Sequence, residues 1–343
     1  MPFLELRAYA LTALLGTAGA AAAIVVGLPA PYLIGPAVVI TVAGLFGLTL
    51  RVPIQLRNIC FVVVGVSMGT SVTPDVVVVA RTWPLSFVMV PISVVLLLYA
   101  SCWMLQRIFR YDRTTALLAS SPGHLSYVLS LAAETRGDLR IVSIAQSVRV
   151  LALTITTPLI VEVFGLAATE PAVPVVAMSM PVLLATLGVS IVVGLLFLRW
   201  QFPAALLLGG VAVSIGTHVT GLVAGGVPNW LLIPTYVILG SMIGTRFSGV
   251  SLGAIRTAFI AGAVVTVLVM ALAAAIAFGV SHVTGIPLAA ALIAFAPGGL
   301  ETMAAMAVML HADPTYVGAH HVLRLMVLSV LMPLVLGKDA RRR

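Results

Sequence analysis

Two stretches place donor, acceptor and proton-carrying residues inside runs that are otherwise apolar. The first, SSPGHLSYVLSLAAETRGD, covers Ser120 to Asp138; the second, FAPGGLETMAAMAVMLHAD, covers Phe295 to Asp313. They carry the triplets Pro122-Gly123-His124 and Pro297-Gly298-Gly299. Proline removes a backbone donor and glycine relaxes the chain, so each triplet predicts a broken helix whose freed N–H and C=O groups lipid cannot satisfy. The arms that follow, from near Leu125 and Leu300, present helix N-termini, whose partial positive charge attracts anions. A kink that only shapes packing is the competing reading. Ser126 and Glu301 stand just past the breaks.

Arg149 and Arg324 each lie eleven residues beyond an aspartate, Asp138 or Asp313. That is ~16 Å along a helix starting at the interface, near mid-bilayer. An arginine there costs at least ~2.5 kcal/mol on insertion scales, so each should face an interior partner. Glu301 can neutralise only one of them, and an anionic substrate would serve the other; a structural ion pair is the alternative. His320 and His321 are adjacent, so on a helix they point ~100° apart and cannot chelate one metal together. His320 shares a face with Arg324 at i+4, and His321 less closely at i+3. Either proton coupling or neutral packing would account for them. Gln146 in the first copy stands where the second has His321. The expected substrate site is therefore Pro122, Gly123, His124, Ser126, Gln146, Arg149, Pro297, Gly298, Gly299, Glu301, His320, His321 and Arg324.

The elements that must hold these residues are written twice. A constant shift of 175 carries Pro122-Gly123 to Pro297-Gly298, Gly35 to Gly210, Pro53 to Pro228, Gly65 to Gly240 and Gly69-Thr70 to Gly244-Thr245. It also carries Arg81-Thr82 to Arg256-Thr257, Asp138 to Asp313, Arg149 to Arg324 and Pro158 to Pro333. Agreement of scarce Gly, Pro and Arg at one offset marks an internal duplication. The first copy reads as apolar segments Ala8–Gly27, Tyr32–Leu50, Arg57–Val72, Pro84–Gln106, the broken Thr114–Thr135 and Leu139–Val163. The second reads as Met178–Arg199, Pro203–Gly221, Trp230–Phe247, Arg256–Val280, the broken Pro287–His311 and Pro314–Leu336. The expected organisation is a first repeat over 1–168, a linker at 169–177 and a second repeat over 178–343, all one membrane domain.

Of 343 residues, 61% are hydrophobic and 8% charged, and mean hydropathy is +1.20, which places the chain among polytopic membrane proteins. The start, LRAYALTALLGTAGAAAA, has the look of a signal peptide and is read as a retained first helix. Lysines and arginines, 18 in all, set orientation here. If the broken segments cross, there are twelve crossings and parallel repeats, and basic residues divide ten inside to six outside, the six being Arg81, Arg136, Arg140, Arg199, Arg246 and Arg256. If they are re-entrant, there are ten crossings. Arg7, Arg51, Arg57, Arg107, Arg110, Arg113, Arg136, Arg140, Arg199, Arg246, Arg256, Lys338 and Arg341 to Arg343 then lie inside, and only Arg81 outside. The positive-inside rule selects the second arrangement: about five crossings plus one re-entrant hairpin per repeat, hence inverted repeats.

No cofactor or metal is expected. Cys60 and Cys102 form no C-x-x-C, and histidines at 124, 218, 282, 311, 320 and 321 show no H-x-x-x-H or E-x-x-H spacing. Direct nucleic-acid binding is not expected either, because no basic helix or DNA-reading motif stands out.

SPGHLSYVLSLAAETRGDLRIVSIAQSVRVLALTITTPL and PGGLETMAAMA followed by ADPTYVGAHHVLRLMVLSVLMPL resemble the bacterial AbrB duplication family of integral membrane proteins. The doubled P-G-G/H and the A-H-H-x-x-R run carry the likeness over almost the whole chain. Its members are labelled ammonia monooxygenase or regulator of gene expression, and no substrate is established for them. A small soluble DNA-binding regulator shares the name, but nothing here looks like that fold. The two copies depart from each other at His124 against Gly299 and at Gln146 against His321, so the two hairpins are not expected to play identical roles. The expectation is an all-α polytopic protein of the bacterial inner membrane that is not an enzyme. It would be a secondary transporter of a small organic anion, its partners being that anion and the lipid bilayer, with proton coupling and homo-oligomer formation left open. A membrane sensor acting indirectly on gene expression is the alternative, and a membrane monooxygenase ranks behind both.

Overall fold

Helix boundaries follow the chain's prolines and aspartates. The computed structural model describes residues 2–70, 83–122, 125–166, 176–202, 204–250 and 252–337. Fourteen α-helices lie among them. The first seven are α1 (Pro2–Val26), α2 (Pro31–Leu45), α3 (Ile54–Gly69), α4 (Pro84–Ile108), α5 (Arg113–Ser120), α6 (Leu125–Glu134) and α7 (Leu139–Val163). The others are α8 (Met180–Arg199), α9 (Ala205–Val219), α10 (Asn229–Gly244), α11 (Leu252–Thr284), α12 (Leu288–Phe295), α13 (Leu300–Met309) and α14 (Pro314–Leu336). A single 3₁₀ turn, Thr245–Phe247, continues α10. Proline occupies the first turn of α2, α4, α8 and α14, where its missing N–H has no partner to lose. Asp138 and Asp313 cap α7 and α14 in the same way, each accepting from the backbone N–H groups two and three residues on, at 2.9 and 3.1 Å.

The chain is an all-α, polytopic membrane protein. Seven helices among the described residues are long and apolar enough to span: Glu5–Val26, Pro84–Ile108, Leu139–Val163, Met180–Arg199, Asn229–Phe247, Arg256–Thr284 and Pro314–Leu336. The segments expected over Tyr32–Leu50 and Pro203–Gly221 fold as helices of 15 residues. These rise only ~22 Å each, short of the ~30 Å hydrocarbon core. The shortening of α2 has a local cause, a turn at Gly47 with φ 91°, which ends the helix before Leu50. Val72, and Arg81 on which the external charge count rests, fall outside the described residues, as does most of the linker.

Small residues set how the helices meet. α1 crosses α2 where Gly19 faces Gly35, and α8 crosses α9 where Gly194 faces Gly209. Across the two halves, α3 packs on α9 and α2 on α10. A Cβ on Gly65 would overlap the carbonyl oxygen of Leu207, and one on Gly240 that of Leu33, so these backbones approach as closely as the fold allows. α7 packs along α11, and α14 along α4. Within this frame the short helices α5, α12 and α13 are largely enclosed; Leu300 to Ala307 of α13 are all buried.

Candidate functional site

Both Pro-Gly triplets interrupt a helix. α5 stops at Ser120 and α6 begins at Leu125; α12 stops at Phe295 and α13 begins at Leu300. Arms of 8 and 10 residues rise ~12 and ~15 Å, so neither spans alone. The ends of α5 and α12 leave carbonyl oxygens that the interrupted helix cannot serve.

Side chains of α7 and α14 serve them, and the core of the arrangement is shared. Arg149 Nη1 donates to Ser121 O at 3.0 Å, and Arg324 Nη1 donates to Ala296 O at 2.7 Å. Gln146 Nε2 donates to Leu118 O at 2.9 Å, while His321 Nε2 faces Ile293 O at 3.1 Å. Gln146 Oε1 accepts from Arg149 Nη2 at 2.5 Å; His321 Nδ1 lies 3.2 Å from Arg324 Nη1. Every one of these contacts maps onto its counterpart by the shift of 175. Each break adds contacts of its own: Gln146 Nε2 to Ser121 O at 2.9 Å and Ala119 O at 3.4 Å in the first, Arg324 Nη2 to Ala294 O at 2.6 Å in the second. His321 is thereby held neutral with its proton on Nε2, since one nitrogen meets a carbonyl and the other a guanidinium donor. Cationic caps at helix C-termini are also favoured by the macrodipole. The partners expected for the two arginines were an acid and a substrate; those the structure gives are the broken helices' own carbonyls.

His320 belongs to a different arrangement. Its Nδ1 donates to Tyr316 O at 2.7 Å, and its Nε2 lies 2.7 Å from Ser86 Oγ, which also meets Tyr316 Oη at 2.5 Å. Phe87 stacks on the imidazole with centroids 4.7 Å apart. Both ring nitrogens are occupied in a seam between α4 and α14.

Glu301 is buried in the first turn of α13, its carboxylate folded back toward Gly299, where Oε2 stands 3.5 Å from the place a Cβ would occupy. It is electrostatically coupled to Arg246. Sequence reading had assigned Arg246 to a cytoplasmic loop. A 3₁₀ turn carries Arg246 onward from α10, leaving its side chain half-buried with Nη1 covered. Arg246 acts repulsively on Arg149, and Arg149 on Arg324. Among the described residues, the buried Arg149 and Arg324 and the half-buried Arg246 therefore outnumber the one buried glutamate. The signal that could have found Arg246 was its place directly after Gly244-Thr245, a repeated pair inside an apolar run.

Gly123 and His124 lie outside the described residues, and so does the side chain of Ser126. Pro122 is buried, as is Pro297 beside Gly298 and Gly299. Cys60 and Cys102 are free and buried. Among the described residues, no three His, Cys, Asp or Glu side chains gather as a metal ion would need. A cavity of ≈ 580 Å³ opens among α3, α4, α9, α13 and α14, lined by Met68, Phe87, Leu207, Leu300, Gly318 and Met326 among others, and reaches the first residue of α13.

A family model described as "Transition state regulatory protein AbrB" matches residues 32–338. The chain belongs to the AbrB family. It is 30% identical over 292 residues to "Uncharacterized protein YhjN" of Bacillus subtilis (strain 168), covering 79% of this chain and 75% of that one. It is 26% identical over 318 residues to "Putative regulator AbrB" of Escherichia coli (strain K12), covering 90% of each. No solved structure matches. The matched span of this AbrB-family chain takes in both broken helices and all three of these arginines.

Proposed function

We propose that this AbrB-family protein is a secondary transporter of a small organic anion in the bacterial inner membrane, its repeats inverted and its substrate handled at the two broken helices. The observation that carries the reading is the pair of matched breaks, each with a guanidinium fixed on one side and a new helix N-terminus on the other. An anion entering there meets positive potential from both directions. The excess of these three arginines over one glutamate has the same sign. The apolar cavity that reaches Leu300 suits the hydrocarbon part of an organic anion.

The test is a thermal-shift screen of purified protein against sodium acetate, lactate, succinate and benzoate, with choline and spermidine as cations. Stabilisation by at least one carboxylate is expected. Stabilisation by cations alone, unchanged in Arg149→Gln and Arg324→Gln variants, would overturn it. A second reading, a membrane-embedded sensor that alters gene expression indirectly, is favoured by the printed description of the family and by the printed name of the Escherichia coli relative. It predicts that a deletion strain's transcript changes are reversed by a variant that cannot transport.

A further inference from the structure

The two halves match at the arginine-capped breaks but not at Glu301 and Arg246. Shifted back by 175, Arg246 falls on Ser71 and Glu301 on Ser126, so both charges are replaced by serine in the first copy. An acid and a base that are present together in one copy and absent together from the other act as one unit. Geometry agrees. Phe247, next to Arg246, packs against Ile144 and Val148 of α7, which sets the 3₁₀ turn beside the helix that carries Arg149. α10 in turn packs on α13, where the Glu301 carboxylate folds back over the break.

Arg149 Nε is also buried without a partner, so what separates Arg246 from the other two arginines is what the terminal Nη donors do. Arg149 and Arg324 commit Nη groups to backbone carbonyls. Arg246 Nη1 is buried without a hydrogen-bond partner. A buried charged donor without an acceptor costs several kcal/mol, and an arriving carboxylate oxygen would remove that cost. The capping arginines cannot turn to a substrate without unsealing the helices they close.

We propose that Glu301 and Arg246 are the coupling pair of this protein: a proton taken up on the Glu301 carboxylate removes the negative charge that offsets the Arg246 guanidinium, whose open Nη1 then takes a substrate carboxylate, so that proton and anion travel together. The inference rests on the anion-transport reading above. The proton comes from the aqueous side that the substrate also leaves, the negative charge on Glu301 is replaced by that of the substrate, and the interior keeps its net charge through the exchange. Among the described residues, the other acid beside α13 is Asp313, half-buried and committed to capping α14 through Thr315 N–H and Tyr316 N–H. α14 supplies Tyr316, His320, His321 and Arg324, and α10 supplies Tyr236 and Arg246. α7 supplies Arg149, with Arg140 and Glu162 exposed toward its ends, α3 supplies Arg57 and Cys60, and α12 supplies none. His320 and His321 have both ring nitrogens engaged.

Two measurements test the pair. The first is carboxylate affinity and proton uptake, followed with a pH-indicator dye in weakly buffered detergent, using whichever of the four sodium carboxylates gives the thermal shift. Wild type should take up a proton with each anion bound, and affinity should rise about tenfold per unit fall in pH. Glu301→Gln should bind without proton uptake and without that pH slope. Arg246→Gln should lose about ten- to hundredfold in affinity, with partial recovery in Arg246→Lys. An anion bound by wild type with no proton uptake overturns the coupling while leaving the transporter reading intact. The second measurement needs no ligand. Infrared spectra at neutral pH should show a carboxylic-acid C=O band in Arg246→Gln that is absent from wild type and from the Glu301→Gln, Arg246→Gln double variant. If Arg246→Gln leaves the carboxyl region unchanged, the pair is refuted whether or not any anion binds.

Discussion

Replacing Arg324 by methionine keeps the length and volume of the side chain while removing every donor. In the folded protein Arg324 supplies two charged hydrogen bonds to the exposed end of α12, at Ala296 O and Ala294 O. Hydrogen bonds to charged groups are worth about 1.5–3 kcal/mol each, so their loss costs about 3–6 kcal/mol. Against this stands relief of at least ~2.5 kcal/mol for no longer holding a guanidinium in the membrane interior. The net expectation is a loss of about 0.5–3.5 kcal/mol. Arg149→Met should cost less, about 0.5 kcal/mol at most on the same scales, because Ser121 O keeps the Gln146 Nε2 donor at 2.9 Å and only Gln146 Oε1 loses its charged donor. The protein carries its own reporter. Cys60 and Cys102 are 2% and 3% exposed, so a thiol-reactive maleimide dye fluoresces only as the protein opens. Melting curves of wild type, Arg324→Met and Arg149→Met in detergent should fall in that order of stability from one end: wild type highest, Arg149→Met between, Arg324→Met lowest. An Arg324→Met protein as stable as wild type, or less affected than Arg149→Met, would refute the capping argument and return Arg324 to ligand binding alone.

His321→Gln should be tolerated within about 1 kcal/mol, since Gln146 makes the equivalent bonds in the first half; His321→Leu leaves Ile293 O and one Arg324 donor unserved and should cost about 1–3 kcal/mol in the same melt. Topology is checked in sealed, oriented cells with a membrane-impermeant maleimide, the buried native cysteines leaving a quiet background. Glu162→Cys should label from outside and Arg136→Cys should not; external labelling at Arg136→Cys would refute the re-entrant arrangement and revive twelve crossings.

Much of the architecture could be read from letters alone because its determinants are local. Apolar runs marked the long helices to within a few residues, and Asp138, Asp313 and Pro314 marked where α7 and α14 begin. The recurrence at an offset of 175 could be picked out because Gly, Pro and Arg are scarce in a Val, Leu and Ala background. The partners of Arg149 and Arg324 were not visible, since a backbone carbonyl has no letter of its own and any residue at 121 or 296 supplies one. Ser86 was missed because its contact with His320 spans 234 positions. The half-buried setting of Arg246 was not legible either, because a basic residue at the end of an apolar run gives no sign of the 3₁₀ turn that covers its Nη1.

The seam at Gly65 joins α3 to a helix that the ribosome has not yet made. Leu207 and Gly210, which close over Gly65, follow it by more than 140 residues. At about 5–20 residues per second, roughly ten to thirty seconds of synthesis separate the two sides of that contact. Over that interval α2 and α3 stand in the bilayer with their glycine grooves open, and lipid chains or an insertion factor must fill them. α9 already has α8 to pack on, but its face at Leu207 and Gly210 is completed only by α3. Nascent chains released after the first half should therefore be degraded rather than accumulate, and the two halves made as separate polypeptides should rescue one another only when both are present in the same membrane at the same time.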